Sequence, residues 1–381
     1  MHVEGKTRLV VPAASLTQDP PPTAPVFFNP AASLNRDVSV AIAEALGGST
    51  FCDSMAGVGA RGIRVAKEVS SVKKVTLVDF NAGALKLARR SVRLNEIDRK
   101  CEFSHSETSS YLYSRYGKEE RFDHVDVDPF GTPVGQLQAA ICSTTDGGVL
   151  SVTATDTAVL CGVYPGVSRR RYGASPLNNH FHHENGIRIL MGAIARQAAS
   201  LDAGVDPIAA HSTRHYARVY LRIQVGATKA DSSLEELGYV SWCPACGHTW
   251  SSDRPELRCQ DCDKNAKVAG PLWVGGLTQR HSVEDARTAA KKKGFDAAGA
   301  VLDSLVGVDD FPPWSFSIER ICSTLGTATV SESEVRSTLG RSGFRTLRQP
   351  FERTGVKTDA TYKDVEDAVR EAAIRRSGAS G

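Results

Sequence analysis

Short apolar strands alternate with amphipathic helices from about residue 49 onward, and this alternation constrains the fold more than any other feature. Leu85, Ala88 and Val92 recur at helical spacing and predict one buried stripe. Strands separated by helices indicate a parallel sheet with helices on both faces, so we predict an α/β fold of Rossmann-like type. The predicted strands are STFCDSM, KKVTLVDF, KCEFSHSE, RFDHVDVD and GGVLSVTATD, followed by DPIAAHST and ARVYLRIQV.

A glycine-rich turn, residues 53–62, connects the first of these strands to its helix. Gly57, Gly59 and Gly62 form G-x-G-x-x-G, and glycines at such a place let the backbone come close to a ligand. Asp79 ends the second strand, where a carboxylate accepts hydrogen bonds from ribose hydroxyls. A dinucleotide and S-adenosylmethionine both fit, because both contain an adenosine ribose. The turn predicts a cofactor site and leaves these two cofactors open.

The fourth strand ends in DVDPFG, residues 126–131, and this ending favours methyl transfer to an exocyclic amine. The lone pair of such an amine is spread into its ring, and two acceptors facing its hydrogens localise that pair. The Asp128 carboxylate and the Pro129 carbonyl are those acceptors, and Asp128 also takes the proton after transfer. Phe130 stacks on the base and keeps it in line with the methyl–sulfonium bond. The alternative is an ordinary turn, with which Asp-Pro and Phe-Gly are compatible.

Four of the nine cysteines fall in two CxxC pairs separated by twelve residues. This spacing predicts a tetrahedral zinc with four thiolate ligands, and four protein ligands make the zinc structural rather than catalytic. The alternative is four reduced cysteines without a metal. The other five cysteines lie in apolar segments and are predicted to pack in the core. The predicted ligands are Cys243, Cys246, Cys259 and Cys262.

The 381 residues are enough for two domains, each with its own core. The apparent linker ATKADSS lies at residues 227–233, so we expect a catalytic domain over 1–229 and a smaller α+β domain over 230–381. The second domain contains the Cys-rich unit at 240–275, followed by helices and short strands.

Charge and hydropathy exclude a membrane protein and a strongly basic one. The net charge is only +3, so only local basic clusters are candidates for binding nucleic acid. No apolar run approaches the roughly 18 residues of a membrane span, and the N-terminus lacks the apolar region of a signal peptide. We therefore expect a cytoplasmic protein without a membrane segment, and the sequence gives no sign of an obligate protein partner.

The chain resembles the tRNA guanine-26 N2-dimethyltransferases of archaea and eukaryotes over most of its length. The similarity begins at VEGK and VFFNPAASLNRDVSVA and continues through DSMAGVGARGIRVA, VDFN, DVDPFGTP and VTATDTAVLCGVYP. It extends through RRYGASP, HHENGIRILMGAIARQAA and HYARVYLRI to GPLWVGGL and SGFRTLRQPFERTGVKTDA. The resemblance implies a class I methyltransferase fold and S-adenosylmethionine as the methyl donor. It also implies transfer of one and then a second methyl group to N2 of guanine 26 in tRNA.

The resemblance adds to the site residues that the motifs already indicate. The cofactor contacts it implies are Arg36, Arg61 and Asp79, together with Asp53, Gly57 and Gly59 of the turn and the less regular pair Glu107 and Thr108. Phe27 or Phe28 would flank the base or the cofactor. We expect the C-terminal domain to bind tRNA through Arg345, Arg348 and Arg353.

Three other functions remain open at this point. The protein could methylate another amine, on DNA or on protein, because Asp-Pro-aromatic suits that whole group of reactions. A nicotinamide dehydrogenase would also use the glycine-rich turn. The third alternative is a non-catalytic zinc protein that binds RNA. The number of methyl groups transferred, the preferred tRNAs and the oligomeric state do not follow from the sequence.

Overall fold

The computed structural model describes residues 1–213, 216–351 and 354–378. It begins with an antiparallel hairpin of β1 (His2–Glu4) and β2 (Thr7–Leu9). Within the described ranges, no helix is both long and apolar enough to cross a bilayer. Short 3-10 turns occur at Ala13–Leu16, Pro30–Ala32, Asp98–Lys100, Val134–Gln136 and Val308–Asp310.

A seven-stranded sheet forms the centre of the molecule, in the order β5-β4-β3-β6-β7-β9-β8. All seven strands coincide with predicted ones. β3, β4, β5, β6 and β7 pair in parallel, whereas β9 runs antiparallel to both β7 and β8. The predicted parallel sheet is confirmed for β3 to β7, and β8 and β9 add an antiparallel pair, because the connection between them is too short for a parallel crossover. The strands are β3 (Thr50–Asp53), β4 (Lys74–Asp79), β5 (Cys101–His105), β6 (Phe122–Val127), β7 (Thr144–Ala154), β8 (Ala203–Thr213) and β9 (Tyr216–Val225).

Nine helices lie along this sheet and its connections in the described part of residues 1–235. They are α1 (Ser33–Leu46), α2 (Ala60–Glu68), α3 (Ala82–Leu94), α4 (Thr108–Tyr116), α5 (Leu137–Ser143), α6 (Thr157–Leu160), α7 (Pro165–Tyr172), α8 (His182–Ala199) and α9 (Ala227–Glu235).

The predicted linker at residues 227–233 is wrong, because these residues begin α9. Ala230 and Ser233 are buried, and the Ser233 hydroxyl accepts a 2.8 Å hydrogen bond from the Val205 amide. Gly204 lets the helix approach β8, since a Cβ there would lie 2.2 Å from the Lys229 carbonyl oxygen. The segment looks polar because only one side of this short helix is covered.

The remaining elements form a three-stranded Cys-rich sheet (the ribbon), two helices and a small terminal unit. The first sheet has the antiparallel order β11-β10-β12, and the last has the order β13-β15-β14. The elements are β10 (Leu237–Trp242), β11 (Thr249–Ser252), β12 (Lys267–Trp273), α10 (Arg280–Lys293), α11 (Asp296–Leu305), β13 (Phe316–Ser317), α12 (Ile318–Leu325), α13 (Glu332–Arg341), β14 (Thr346–Arg348), β15 (Gly355–Thr358) and α14 (Tyr362–Gly378).

Two hydrophobic clusters divide the core after residue 308 rather than at residue 229. The first cluster runs from Leu9 to Val308, includes Val240 and Val283, and also takes in Phe351 of the terminal unit, while the second runs from Phe316 to Ala372. The expected boundary at 229 therefore falls inside the first cluster. The reason is that α10 and α11 pack on α1, so a pair of helices distant in sequence covers an apolar face of the unit built on the seven-stranded sheet.

A buried ion pair joins the two units. Lys357 of β15 donates 2.9 Å hydrogen bonds to both carboxylate oxygens of Glu184 in α8, and neither side chain has any exposed surface. Arg188 and Gln349 also donate to Glu184. Burial raises the pKa of Glu184, but Lys357 and Arg188 outweigh burial and leave that pKa below its usual value. The terminal unit is thus attached to the unit of the seven-stranded sheet through a carboxylate that must stay ionised.

Lys357→Met should lower the free energy of unfolding by about 3 kcal/mol or more, because the buried Glu184 carboxylate loses a cationic partner. Adding Glu184→Gln should recover part of this loss. Denaturant titration measures both effects, with Lys363→Met at an exposed lysine of α14 as the control. Wild-type stability in Lys357→Met would show that the pair contributes nothing.

Candidate active site

The glycine-rich turn and the end of β4 are tied together at the carboxyl edge of the sheet. Gly57 and Gly59 adopt left-handed φ values of 54° and 77°, which side chains disfavour. One Asp79 oxygen accepts a 2.6 Å hydrogen bond from the Gly57 amide, and the other accepts from the Asn81 amide at 2.7 Å. The turn therefore presents backbone and a carboxylate, with almost no side-chain bulk, at the place predicted for the cofactor.

Asp53, Glu107 and Thr108 hold backbone groups in the structure. Asp53 accepts a 2.9 Å hydrogen bond from the Gly62 amide and closes the turn. Thr108 donates to the Ser54 carbonyl oxygen at 2.7 Å. Glu107 caps α4 by accepting from the next helical amides, and it is exposed. Their predicted contacts with a cofactor thus remain predictions, whereas their part in shaping this edge is visible.

A buried ionic cluster lies beneath the end of β6. Arg61 pairs with Asp128, and its Nε lies 3.2 Å from an Asp126 carboxylate oxygen. Arg218 of β9 pairs with the second Asp126 oxygen and is fully buried. Arg61, Asp126 and Arg218 are at most 6% exposed, but 30% of the Asp128 side chain is accessible. Of the two carboxylates, only Asp128 therefore faces an approaching substrate.

Neutral groups complete the hydrogen bonding of this cluster. Arg218 donates to the Tyr220 hydroxyl at 2.8 Å and to the Thr153 hydroxyl at 2.5 Å. Arg61 donates to the Asn35 side-chain oxygen at 2.9 Å. The sequence prediction included Arg61 and Asp128 but missed the other members. An arginine in the apolar strand ARVYLRI was the available signal, because a buried charge requires a partner.

The two guanidinium groups keep Asp128 ionised. Burial raises the pKa of Asp128, but Arg61 and then Arg218 outweigh burial and leave that pKa below its usual value. At neutral pH the residue is therefore a carboxylate, which accepts hydrogen bonds and donates none.

The loop after Asp128 exposes an aromatic ring beside the glycine-rich turn. Phe130 is 70% exposed, and its ring packs edge to face against Phe27 with centroids 4.8 Å apart. Gly131 donates to the Thr155 hydroxyl at 2.6 Å and accepts from the Thr155 amide at 2.9 Å. A Cβ on Gly57 would lie 4.0 Å from the Phe27 carbonyl oxygen. The Phe27 segment therefore borders both the predicted cofactor site and the DPFG loop, and Pro129 of this loop is buried.

Arg36 and Phe28 lie in a separate buried contact. Arg36 donates to both carboxylate oxygens of Glu4, at 2.7 and 2.5 Å, and to the Asn29 carbonyl oxygen. Its guanidinium carbon lies 5.1 Å from the centre of the Phe28 ring, which is only 3% exposed. Of the two predicted phenylalanines, Phe27 is thus the one beside the exposed ring of Phe130.

The four cysteines of the CxxC pairs come together. All four sulfur atoms lie within 4.8 Å of one another, with Cys243 and Cys262 at 3.6 Å and Cys246 and Cys259 at 3.5 Å. Sulfur atoms bound to zinc at about 2.3 Å in a tetrahedron lie about 3.8 Å apart. The cluster is therefore compatible with a zinc ion.

The predicted RNA-binding arginines lie in the terminal unit. The side chains of Arg345 and Arg348 are 65% and 59% exposed and pair with Asp359 and Glu332, respectively. Arg353 lies outside the described residues.

The sheet order, the glycine-rich turn and the acidic end of β6 define the class of this protein, a Rossmann-like methyltransferase. Residues 5–370 match the model of the N2,N2-dimethylguanosine tRNA methyltransferase family. The chain belongs to this family, which confirms the resemblance found in the sequence.

Relatives and a solved structure agree with this assignment. The tRNA (guanine(26)-N(2))-dimethyltransferase of Methanopyrus kandleri is 36% identical, over 97% of this chain and 96% of its own. The enzyme of the same name from Methanothermobacter thermautotrophicus is 35% identical, over 91% and 93%. The structure of Trm1 from Pyrococcus horikoshii with S-adenosyl-L-methionine superposes with a TM-score of 0.84, at 31% identity, over 96% of this chain and 98% of that one.

Asp53→Asn should make stability less dependent on pH. Burial, and then the nearby Asp126, raise the pKa of Asp53 from 3.8 to about 7. Between these values the native chain keeps a proton that the unfolded chain has released, so wild-type stability falls as pH rises, by at most about 4 kcal/mol.

Urea unfolding at several pH values measures this effect. Asp231→Asn, at an exposed residue of α9, should keep the wild-type pH dependence. Equal slopes for Asp53→Asn and wild type would contradict the assignment of this proton to Asp53.

Proposed function

We propose that the protein transfers methyl groups from S-adenosylmethionine to the exocyclic N2 of guanine 26 in tRNA, first one and then a second. The main support is the partly exposed, ionised carboxylate of Asp128, which ends β6 beside the glycine-rich turn. Family membership and the relatives named tRNA (guanine(26)-N(2))-dimethyltransferase support the same reaction.

The residues around the turn fit the methyl donor. The Asp79 carboxylate is placed to accept hydrogen bonds from ribose hydroxyls, and the bare backbone at Gly57 leaves room beside it. Arg36, Asp53, Gly59, Arg61, Glu107 and Thr108 complete the proposed contacts, several of them by shaping the turn rather than by reaching the donor. Bound S-adenosylmethionine supplies an electrophilic methyl group whose sulfur leaves with the electron pair of the broken bond.

Asp128 and Pro129 prepare the amine for attack. Arg61 holds one Asp128 oxygen, and the exposed part of this side chain accepts a hydrogen bond from the N2 amino group. The Pro129 carbonyl accepts from the other hydrogen, which draws the nitrogen lone pair out of the ring. After attack the nitrogen is a strongly acidic cation, so it gives a proton to Asp128 even though the pKa of this carboxyl is low.

The target base stacks on Phe130 and is bordered by Phe27. A guanine within folded RNA must leave its stack to reach these residues, at a cost of a few kcal/mol. A Cβ on Gly131 would have no heavy atom within 4 Å, so there is room for a first methyl group to turn aside. This open space supports a second transfer at the same site.

The terminal unit and the Cys-rich sheet complete the proposal. Arg345, Arg348 and Arg353 bind tRNA phosphates, and zinc at the four cysteines fixes the ribbon between the two units. The chain acts in the cytoplasm, where its tRNA substrate is found, and needs no partner protein.

Asp128→Asn should reduce methyl transfer to an unmodified tRNA transcript by about 100-fold or more, because the negative acceptor and proton acceptor is lost. Transfer of labelled methyl groups from S-adenosylmethionine measures the rate, and nuclease mapping locates the labelled nucleotide. Asp123→Asn, at the opposite end of β6, is the matched control. Label outside guanine 26, or full activity of Asp128→Asn, would contradict the proposal.

Replacing Arg345, Arg348 and Arg353 together by Gln should weaken tRNA binding about tenfold at moderate salt and reduce its dependence on salt. S-adenosylmethionine affinity should stay at the wild-type value. The control replaces three exposed arginines of α3, Arg89, Arg90 and Arg93, with the same change in charge. Filter binding across a salt series distinguishes the two variants, and equal losses would exclude a specific role for the terminal unit.

Cys246→Ser should remove one zinc ion per chain and lower the midpoint temperature of thermal unfolding, because zinc binding by the four cysteines stabilises the folded ribbon. Elemental analysis of the purified chain gives the zinc content. Cys142→Ser, at a half-buried cysteine outside the pairs, should leave it unchanged. A wild-type chain without zinc in this ribbon would overturn the assignment.

A further inference from the structure

A second group of metal-ligating side chains lies outside both the reaction site and the zinc ribbon. Cys161, His182 and His183 place one ligand atom each within 4.8 Å of one another. The Cys161 sulfur lies 3.6 Å from Nδ1 of His183, and the two imidazole rings have centroids 4.2 Å apart. A thiolate and two imidazoles form a donor set that zinc binds well.

The backbone brings these residues together from two helices. Cys161 follows directly after α6, and the two histidines begin α8. Gly186 makes the close approach possible, because a Cβ there would lie 3.2 Å from the Leu160 Cβ and 3.6 Å from the Cys161 sulfur. The contact is therefore part of the helix packing and not a chance meeting of surface side chains.

The histidine arrangement is one that metal sites use. Nδ1 of His182 lies 2.6 Å from the Asn179 carbonyl oxygen, so this nitrogen donates and Nε2 keeps its lone pair. A backbone acceptor on one ring nitrogen commonly fixes the tautomer of a metal-binding histidine. Ligand atoms bound to zinc lie about 3.3–3.8 Å apart, so side-chain shifts of about 1 Å complete the site.

Buried polar atoms without partners are concentrated in the same segment. Within the described part of the chain, the side-chain nitrogens Nδ2 of Asn179 and Nε2 of His180 lack hydrogen bonds, as do both polar atoms of Asn185. Asn179 and Asn185 have no exposed surface. Buried polar groups in proteins are nearly always satisfied, so these groups have spare capacity to hold ordered water along the segment that carries both histidines.

We propose that Cys161, His182 and His183 bind a second zinc ion, which links α6 to α8. The three protein ligands leave a fourth position for water, unlike the four thiolates of the ribbon. His183 also lines an open cleft of about 420 Å³ together with Ser212 and Thr213, through which the ion and its water exchange with solvent. This site is independent of the proposed methyl transfer.

Zinc stoichiometry of the full-length chain tests the second site. Elemental analysis after brief dialysis against a small excess of zinc chloride, followed by desalting, should give two ions per chain for wild type. Cys161→Ser and His183→Ala should each retain one zinc ion per chain, the ion bound by the ribbon. Cys246→Ser should also retain one ion, bound at the second site. The double variant of Cys161→Ser with Cys246→Ser should give none, while Cys142→Ser should keep two.

Two results would overturn the proposal. One is a wild-type chain that holds a single ion after dialysis. The other is a Cys161→Ser chain that keeps two ions, which would identify the second ion as adventitious. If Cys161→Ser unfolds and loses both ions, His183→Ala decides, because its partly exposed side chain can be removed without opening the core. Two ions in a folded His183→Ala chain would then refute the site.

Discussion

The structure depends on the ionic cluster under the end of β6. The carboxylates of Asp126 and Asp128 meet two guanidinium groups there in a nearly dry environment, where any unpaired charge is costly. Asp53 lies beside them, and burial raises its pKa to about 7. The requirement for paired charges fixes α2, which supplies Arg61, against β6 and β9. It also explains why Asp128 is the accessible member of the cluster, since the side chains of Arg61, Asp126 and Arg218 are buried. The Asp128 carboxylate is therefore positioned by charges that are themselves buried.

Local signals made much of this molecule predictable, and contacts between distant segments made the rest unpredictable. Local patterns of a few residues were enough to predict each strand of the sheet, the turn at Gly57 and the pairing of the cysteines. The role of Arg218 is not, because its partner Asp126 lies 92 residues away. The same reason applies to α10, whose packing on α1 extends the first hydrophobic cluster beyond residue 229.

The terminal unit is attached to the catalytic fold through the same helix that begins beside Cys161. Glu184 follows His183 directly and is bound by Lys357 and Gln349 from the terminal unit. The start of α8 therefore touches three parts of the molecule at once: α6 after the reaction site, the open cleft and the terminal unit. Attachment of this kind would hold the proposed tRNA-binding arginines of the terminal unit in a fixed position relative to Asp128.

The three-way hydrogen bonding of Arg218 restricts how this sequence can drift over evolutionary time. Its Nε, Nη1 and Nη2 each serve a different neighbour, Tyr220, Thr153 and Asp126. A lysine at this position has a single nitrogen in place of the planar guanidinium group, so Arg218→Lys cannot keep all three hydrogen bonds. Descendants of this chain keep all four side chains or must exchange them together. A substitution at any one position then becomes neutral only after its neighbours have already changed.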